Sequence, residues 1–230
     1  MAYKRPEELE VTPSDADLTR AMAGIGMNFA AEANVYAPIE ETLVFASRLG
    51  MDAGDLRVLS VLTEWLGVHA SHVNVDRLVR CVGEHSSERV RAYWAAIAAW
   101  FVKDRRFSRL EKLHIAETRV DLLPVGTDFQ VSRHGEDPRF ADSSLRVPAG
   151  TLRERSSDVL APEVLARRHP GYRNRVRMGP TWRADVWTVL EESPGIRAAD
   201  VARRVGCAFS TAWQVSQDFK VLEQAERVAS

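Results

Sequence analysis

Between Leu18 and Leu49 large apolar side chains recur every three or four positions, the period that places them along one face of an α-helix. Pro38 divides the stretch and predicts a new helix in "PIEETLVFASRLG", with Gly50 as the residue that ends it. The pattern repeats in "DAGDLRVLSVLTEWLGVHA", where Leu56, Leu59, Leu62, Trp65 and Leu66 share a face. Two more helices are expected over residues 75–82 and about 87–101, the second carrying Val90, Tyr93, Trp94, Ile97 and Trp100. Residues 1 to about 18 mix Pro, Glu, Asp and Thr with few large apolar side chains, which predicts a disordered tail.

After the basic stretch "KDRRFSRLEKL" the periodicity changes. "TRVDLLPV", "DFQVSR" and "SLRVPAG" are short alternating or β-branched pieces separated by Gly, Pro and Asp, which predict strands or an irregular connector. Helix returns at Pro162 with "PEVLARR". The expected fold is mainly α: a helical domain over 19–115, a strand-and-loop connector over 116–161, and a last part over 162–230 made of a basic bridge and a helical unit.

That last unit reads as three helices. In "PTWRADVWTVLEESPG" Trp182, Val186, Val189 and Leu190 fall on one face, and Pro194-Gly195 stops the helix. A second helix, Ala198–Val205, turns Val201, Ala202 and Val205 inward, and Gly206 supplies the left-handed residue of a tight turn. A third, from 210 to about 223, opens on Ser210 as N-cap and buries Ala212, Val215, Phe219 and Leu222. The small Ala202 lies where two crossing helices approach closely.

With these residues "VARRVGCAFSTAWQV" resembles the helix-turn-helix superfamily in its winged-helix-like form, over roughly 179–225. The resemblance implies a third helix lying in a DNA major groove, with Ser210, Thr211, Gln214 and Gln217 toward base edges and Arg203, Arg204 and Lys220 near phosphates. Trp213, beside that polar face, either stacks on a sugar or a partner or covers the edge of the core. Only about seven residues follow the third helix, too few for a β-hairpin wing. In its place "ARRHPGYRNRVRMG" offers Arg167, Arg168, Arg173, Arg175 and Arg177 with no acid from Ala166 to Gly179, read as a phosphate-binding arm or as a solvated linker. "VDRLVRCVGEHSSERVRAYWAAI" is a weaker echo of the same design, although its Tyr93, Trp94, Trp100 and Phe101 suit a core or dimerisation helix better than a groove-reading one.

Composition narrows these readings. The 230 residues are 45% hydrophobic and 27% charged, with a net charge of -1, which excludes wholesale electrostatic binding to nucleic acid and leaves local clustering to decide. Of the 31 basic residues 27 are Arg, a bias that a GC-rich genome also produces. No apolar run approaches membrane-spanning length and the start lacks the apolar core of a secretory signal, so no membrane association and a cytoplasmic location are expected. Cys81 and Cys207 stand alone on segments read as helical and are taken as small apolar residues rather than a disulfide or metal ligands. His69 and His72 are read as cap or surface residues.

Phosphate-loop, dinucleotide, nucleophile-elbow and zinc-protease motifs are missing, and Glu117, Asp121 and Asp128 lack the following Lys of a metal-dependent nuclease; no enzyme, cofactor or metal is expected. The expected function is sequence-specific transcriptional regulation by a homodimer reading duplex DNA. The alternative is a protein-interaction module, such as an antitoxin or regulatory subunit of a bacterial defence or toxin–antitoxin system, that binds a partner protein encoded nearby.

Overall fold

Side-chain caps set where the first helices begin. In the computed structural model, which describes residues 13–114 and 118–229, Ser14 accepts the N–H of Asp17 at 3.2 Å and opens α1 (Asp15–Gly24). This helix starts inside the segment expected to be a disordered tail, because Leu18 and Met22 are buried and anchor it; residues 1–12 of that expectation lie outside the described residues. Pro38 caps α2 (Ile39–Met51) as expected, but Gly50 stays within the helix. A Cβ there would stand 2.8 Å from Cβ of Leu59, so Gly50 serves the close approach of α3 and not a C-cap. Asp55 accepts from the N–H groups of Arg57 and Val58 to start α3 (Leu56–His69). Asn74 opens α4 (Val75–His85), and Ser87 opens α5 (Glu88–Trp100) by accepting the N–H of Val90.

Helix α5 runs through the middle of the body. Val90, Ala92, Tyr93, Trp94, Ala96 and Ile97 are all buried, and Nε1 of Trp94 donates to Oγ of Ser47 at 3.0 Å. A helix buried on this many sides offers no face to a DNA groove, so the echo of a second reading head is a core helix. Below it Phe107 and Leu110, the latter in the short α6 (Ser108–Glu111), bury what the basic stretch supplies of apolar surface.

The middle segment forms one two-stranded parallel sheet, β1 (Val120–Asp121) beside β2 (Leu145–Arg146), pairing Val120 with Leu145 and Asp121 with Arg146. "DFQVSR", expected as a strand, is instead part of α7 (Thr127–His134). Its alternation lines no core: Phe129 is 61% exposed while Thr127 is buried and donates to the Leu123 carbonyl at 3.1 Å. Leu122, Phe140, Leu145, Val147 and Leu152 join the same core as α1 to α5.

Beyond it the basic bridge is helical. α8 (Pro162–Arg168) and α9 (Pro170–Met178) send Leu165 and Tyr172 into that first core. α10 (Trp182–Glu192), α11 (Ala198–Val205) and α12 (Phe209–Ala229) then enclose a second, smaller core of Val186, Val189, Leu190, Val201, Ala202, Val205, Ala212 and Val215. Phe219 closes its edge against Trp187, ring centres 4.9 Å apart. α12 starts one residue before Ser210, which is therefore not its N-cap, and continues six residues past Glu223. Leu222, expected in the core, is 51% exposed because the helix has by then left it. The fold is mainly α, and among the described residues no helix is long and apolar enough to cross a membrane.

Candidate nucleic-acid interface

The turn that defines the C-terminal unit rests on Gly206, at φ 77° and ψ 28° in the left-handed region that favours glycine. Its N–H donates to the Ala202 carbonyl at 2.8 Å, and the N–H of Cys207 reaches the same oxygen at 3.2 Å. Cys207 thus lies in the turn and not on a helix, half-buried and free. Arg80 of α4 completes the turn from outside: its guanidinium donates to the carbonyls of Gly206 and Val205 and lies 5.3 Å over the Trp182 ring. A cation at the C-terminus of α11 also suits the negative end of that helix.

From this turn α12 presents Ser210, Trp213, Gln214 and Lys220 to solvent, with Thr211 and Gln217 half-buried. Nε2 of Gln214 donates to Oδ1 of Asp218 at 3.3 Å, and Asp218 also accepts from Arg183 of α10 at 2.5 Å. Those bonds, from Arg183 first, hold the Asp218 carboxyl below its usual range. The cations beside the turn are exposed but paired: Arg203 with Asp200, and Arg204 with Glu192 and Ser193. Lys220 has no ion pair among the described residues. Trp213 is 49% exposed.

The bridge is divided. Arg167, Arg168 and Arg177 are exposed and unpaired among the described residues, and Arg173 is half-buried with an Nε that has no partner among them. Arg175 must leave the set of phosphate contacts, since it is buried between the body and α10. Its Nη1 and Nη2 donate to the two carboxylate oxygens of Glu40 at 2.6 and 2.8 Å, and its Nε and Nη2 donate to Oδ1 of Asp185 at 2.9 and 2.7 Å. Asn74 adds bonds to both acids, and Arg77 bonds Glu41 at 2.9 Å. Burial alone would lower the Arg175 pKa, but Asp185 and Glu40 hold it above its ordinary value; burial would raise that of Asp185, and Arg175 and Arg77 keep it low. Such a buried set fixes α9 and α10 against α2 and α4, and removing one charge would leave its partners uncompensated. No local pattern announces the set, because Glu40 lies 135 positions from Arg175.

His69 corrects a second expectation. It is fully buried, with Nε2 donating to the Leu160 carbonyl at 3.0 Å, so Nδ1 accepts from the Tyr172 hydroxyl at 2.8 Å. Tyr172 accepts in turn from Nδ1 of His72, the half-buried member of the chain, at 3.1 Å. Among the described residues no three His, Cys, Asp or Glu side chains are placed to hold a metal. Asp121 and Asp128 both pair with Arg146, and Glu117 lies outside the described residues.

The residues that sequence reasoning missed are those that position the unit, Arg80, Glu40, Arg77 and Asp185. Their one legible signal is a polar side chain on the buried face of α2, α4 or α10. No protein-family model, no curated protein and no solved structure matches the chain.

Proposed function

We propose that the protein binds duplex DNA through α11 and α12 and acts as a homodimeric, sequence-specific transcriptional regulator. The carrying observation is the left-handed Gly206 turn, which leads from a helix that buries Val201, Ala202 and Val205 into one whose first turns expose Ser210 and Gln214. A glutamine on that face suits bidentate bonding to adenine, and serine and threonine bond phosphates or bases. Lys220, Arg203 and Arg204 lie on the same unit, and Arg203 and Arg204 would exchange Asp200 and Glu192 for phosphate oxygens. Arg167, Arg168 and Arg177 add exposed positive charge from the body. A role on DNA also carries the cytoplasmic location expected from the sequence.

The test is fluorescence anisotropy of the full chain with a pool of duplexes, and with the DNA upstream of its own gene, over a series of salt concentrations. Binding is expected to weaken steeply with salt, and Arg167→Ala, Arg168→Ala and Arg177→Ala together should reduce the slope by about one per arginine removed. Gln214→Ala should relax sequence choice at one base pair, worth about 1–3 kcal/mol. No binding to any duplex at low salt sinks the reading.

A further inference from the structure

A cavity of about 560 Å³ opens on the body between the start of α3, α7 and the segment over 149–155. None of its lining residues lies on α10, α11 or α12, so occupancy of this cavity and binding of DNA can fail separately. Its charged lining is all of one sign: Arg57, Arg153 and Arg155, joined by His134 and by the amide of Gln130, with no carboxylate among the lining residues. Elsewhere on the body Arg77, Arg119, Arg139, Arg146 and Arg175 each face a carboxylate at close range.

Two of the three cavity arginines have no such partner. Arg57 and Arg153 are exposed and make no ion pair among the described residues; the guanidinium of Arg57 rests 5.4 Å from the centre of the Phe29 ring, which steadies it without neutralising it. Arg155 is held by Asp158 at 3.5 Å through Nη1, yet its Nε is buried with no hydrogen-bond partner among the described residues. Guanidinium groups gathered on one wall without a carboxylate repel one another, and an arriving anion relieves that repulsion. Planar guanidinium groups match phosphate oxygens in bidentate geometry.

The walls add an apolar part. Leu56, Leu123 and Ala149 line the same space, and Gly150, at φ 77°, turns the chain so that the N–H of Thr151 reaches the Pro148 carbonyl at 3.1 Å. The volume lies within the range of small-molecule sites. We propose that this cavity binds a small phosphate-bearing molecule, with Arg57, Arg153 and Arg155 on its phosphate oxygens.

Isothermal titration calorimetry of the full chain with inorganic pyrophosphate, AMP and ADP, at constant ionic strength and with sulfate as control, tests the assignment. Saturable binding of at least one of the three is expected, weakened tenfold or more in the Arg57→Ala/Arg153→Ala double variant and unchanged in Arg167→Ala/Arg168→Ala. Both altered arginines are exposed, and an unchanged Tm without ligand confirms that the double variant folds. ADP binding tighter than pyrophosphate identifies a nucleotide that uses the apolar wall, and the reverse order identifies the free anion. The proposal is overturned by no saturable binding at millimolar concentration, by sulfate binding equally well, by equal weakening in the control variant, or by full displacement with duplex DNA.

Discussion

His69 and His169 are neutral bases that the fold has removed from water. Burial pushes each from the ordinary 6.5 down to about 4, against backbone carbonyls of Leu160 and Ala37 that favour the protonated ring. The unfolded chain therefore takes up a proton on each near its ordinary pKa, and the folded chain only near pH 4. Stability present above pH 6.5 is lost as pH falls toward 4, on the order of 3 kcal/mol for each histidine. Urea unfolding at a series of pH values checks the loss, and NMR titration of the imidazole resonances assigns it. Normal titration of both rings near 6.5 would sink the account. The same burial explains why His69 is not legible as an interior residue: its spacing from His72 places it at a helix end, and residues far along the chain, Leu160 and Tyr172, cover it, the latter 103 positions later. Arg175 is the parallel case among the cations, legible as a basic residue and illegible as a buried one.

At the scale of elements, caps and periodicity predict well where one helix face meets one core. Pro38 and Ser87 start helices at their expected places, and Leu59, Leu62, Trp65 and Leu66 are all buried on the predicted face of α3. α7 departs from its expected strand because alternation has meaning only against a sheet, and this segment meets none. The α11–α12 turn combines a local and a distant constraint. Gly206→Ala puts a Cβ at positive φ and into the space of the Arg80 guanidinium, and about 1–2 kcal/mol of stability should be lost from the backbone conformation, with more from displacing Arg80. In an Arg80→Ala background the loss should shrink to the backbone part alone. A double-mutant cycle by denaturant unfolding measures the difference, and equal losses in both backgrounds refute the contact.

For the whole molecule the outer half of α12 matters most. At 21 residues the helix is about 31 Å long, and only its first half packs on the second core. Val221 and Val228, 63% and 90% exposed, lie with Ala225 on one side of the rest, continuing the stripe that begins with Gln214 and Gln217. An apolar stripe on this helix fits pairing with the same helix of a second copy, the arrangement that the proposed reading of two half-sites requires. Sedimentation at micromolar concentration should show a dimer for the natural chain and a monomer for Val221→Asp/Val228→Asp, with DNA affinity falling in parallel. A natural chain that sediments as a monomer refutes the pairing.

The sequence by itself determined the helical character, the positions of several helix starts, and the three-helix order around Gly206, because periodicity, caps and a left-handed glycine act over a few residues. Tertiary structure alone decided which arginines are available. Arg175 went inside because Glu40 and Asp185 meet it there, Arg80 was drawn to a turn 126 positions away, and Arg57, Arg153 and Arg155 were gathered without an acid in the cavity they line. Charge pairing depends on distance in space, and no local pattern along the chain records it.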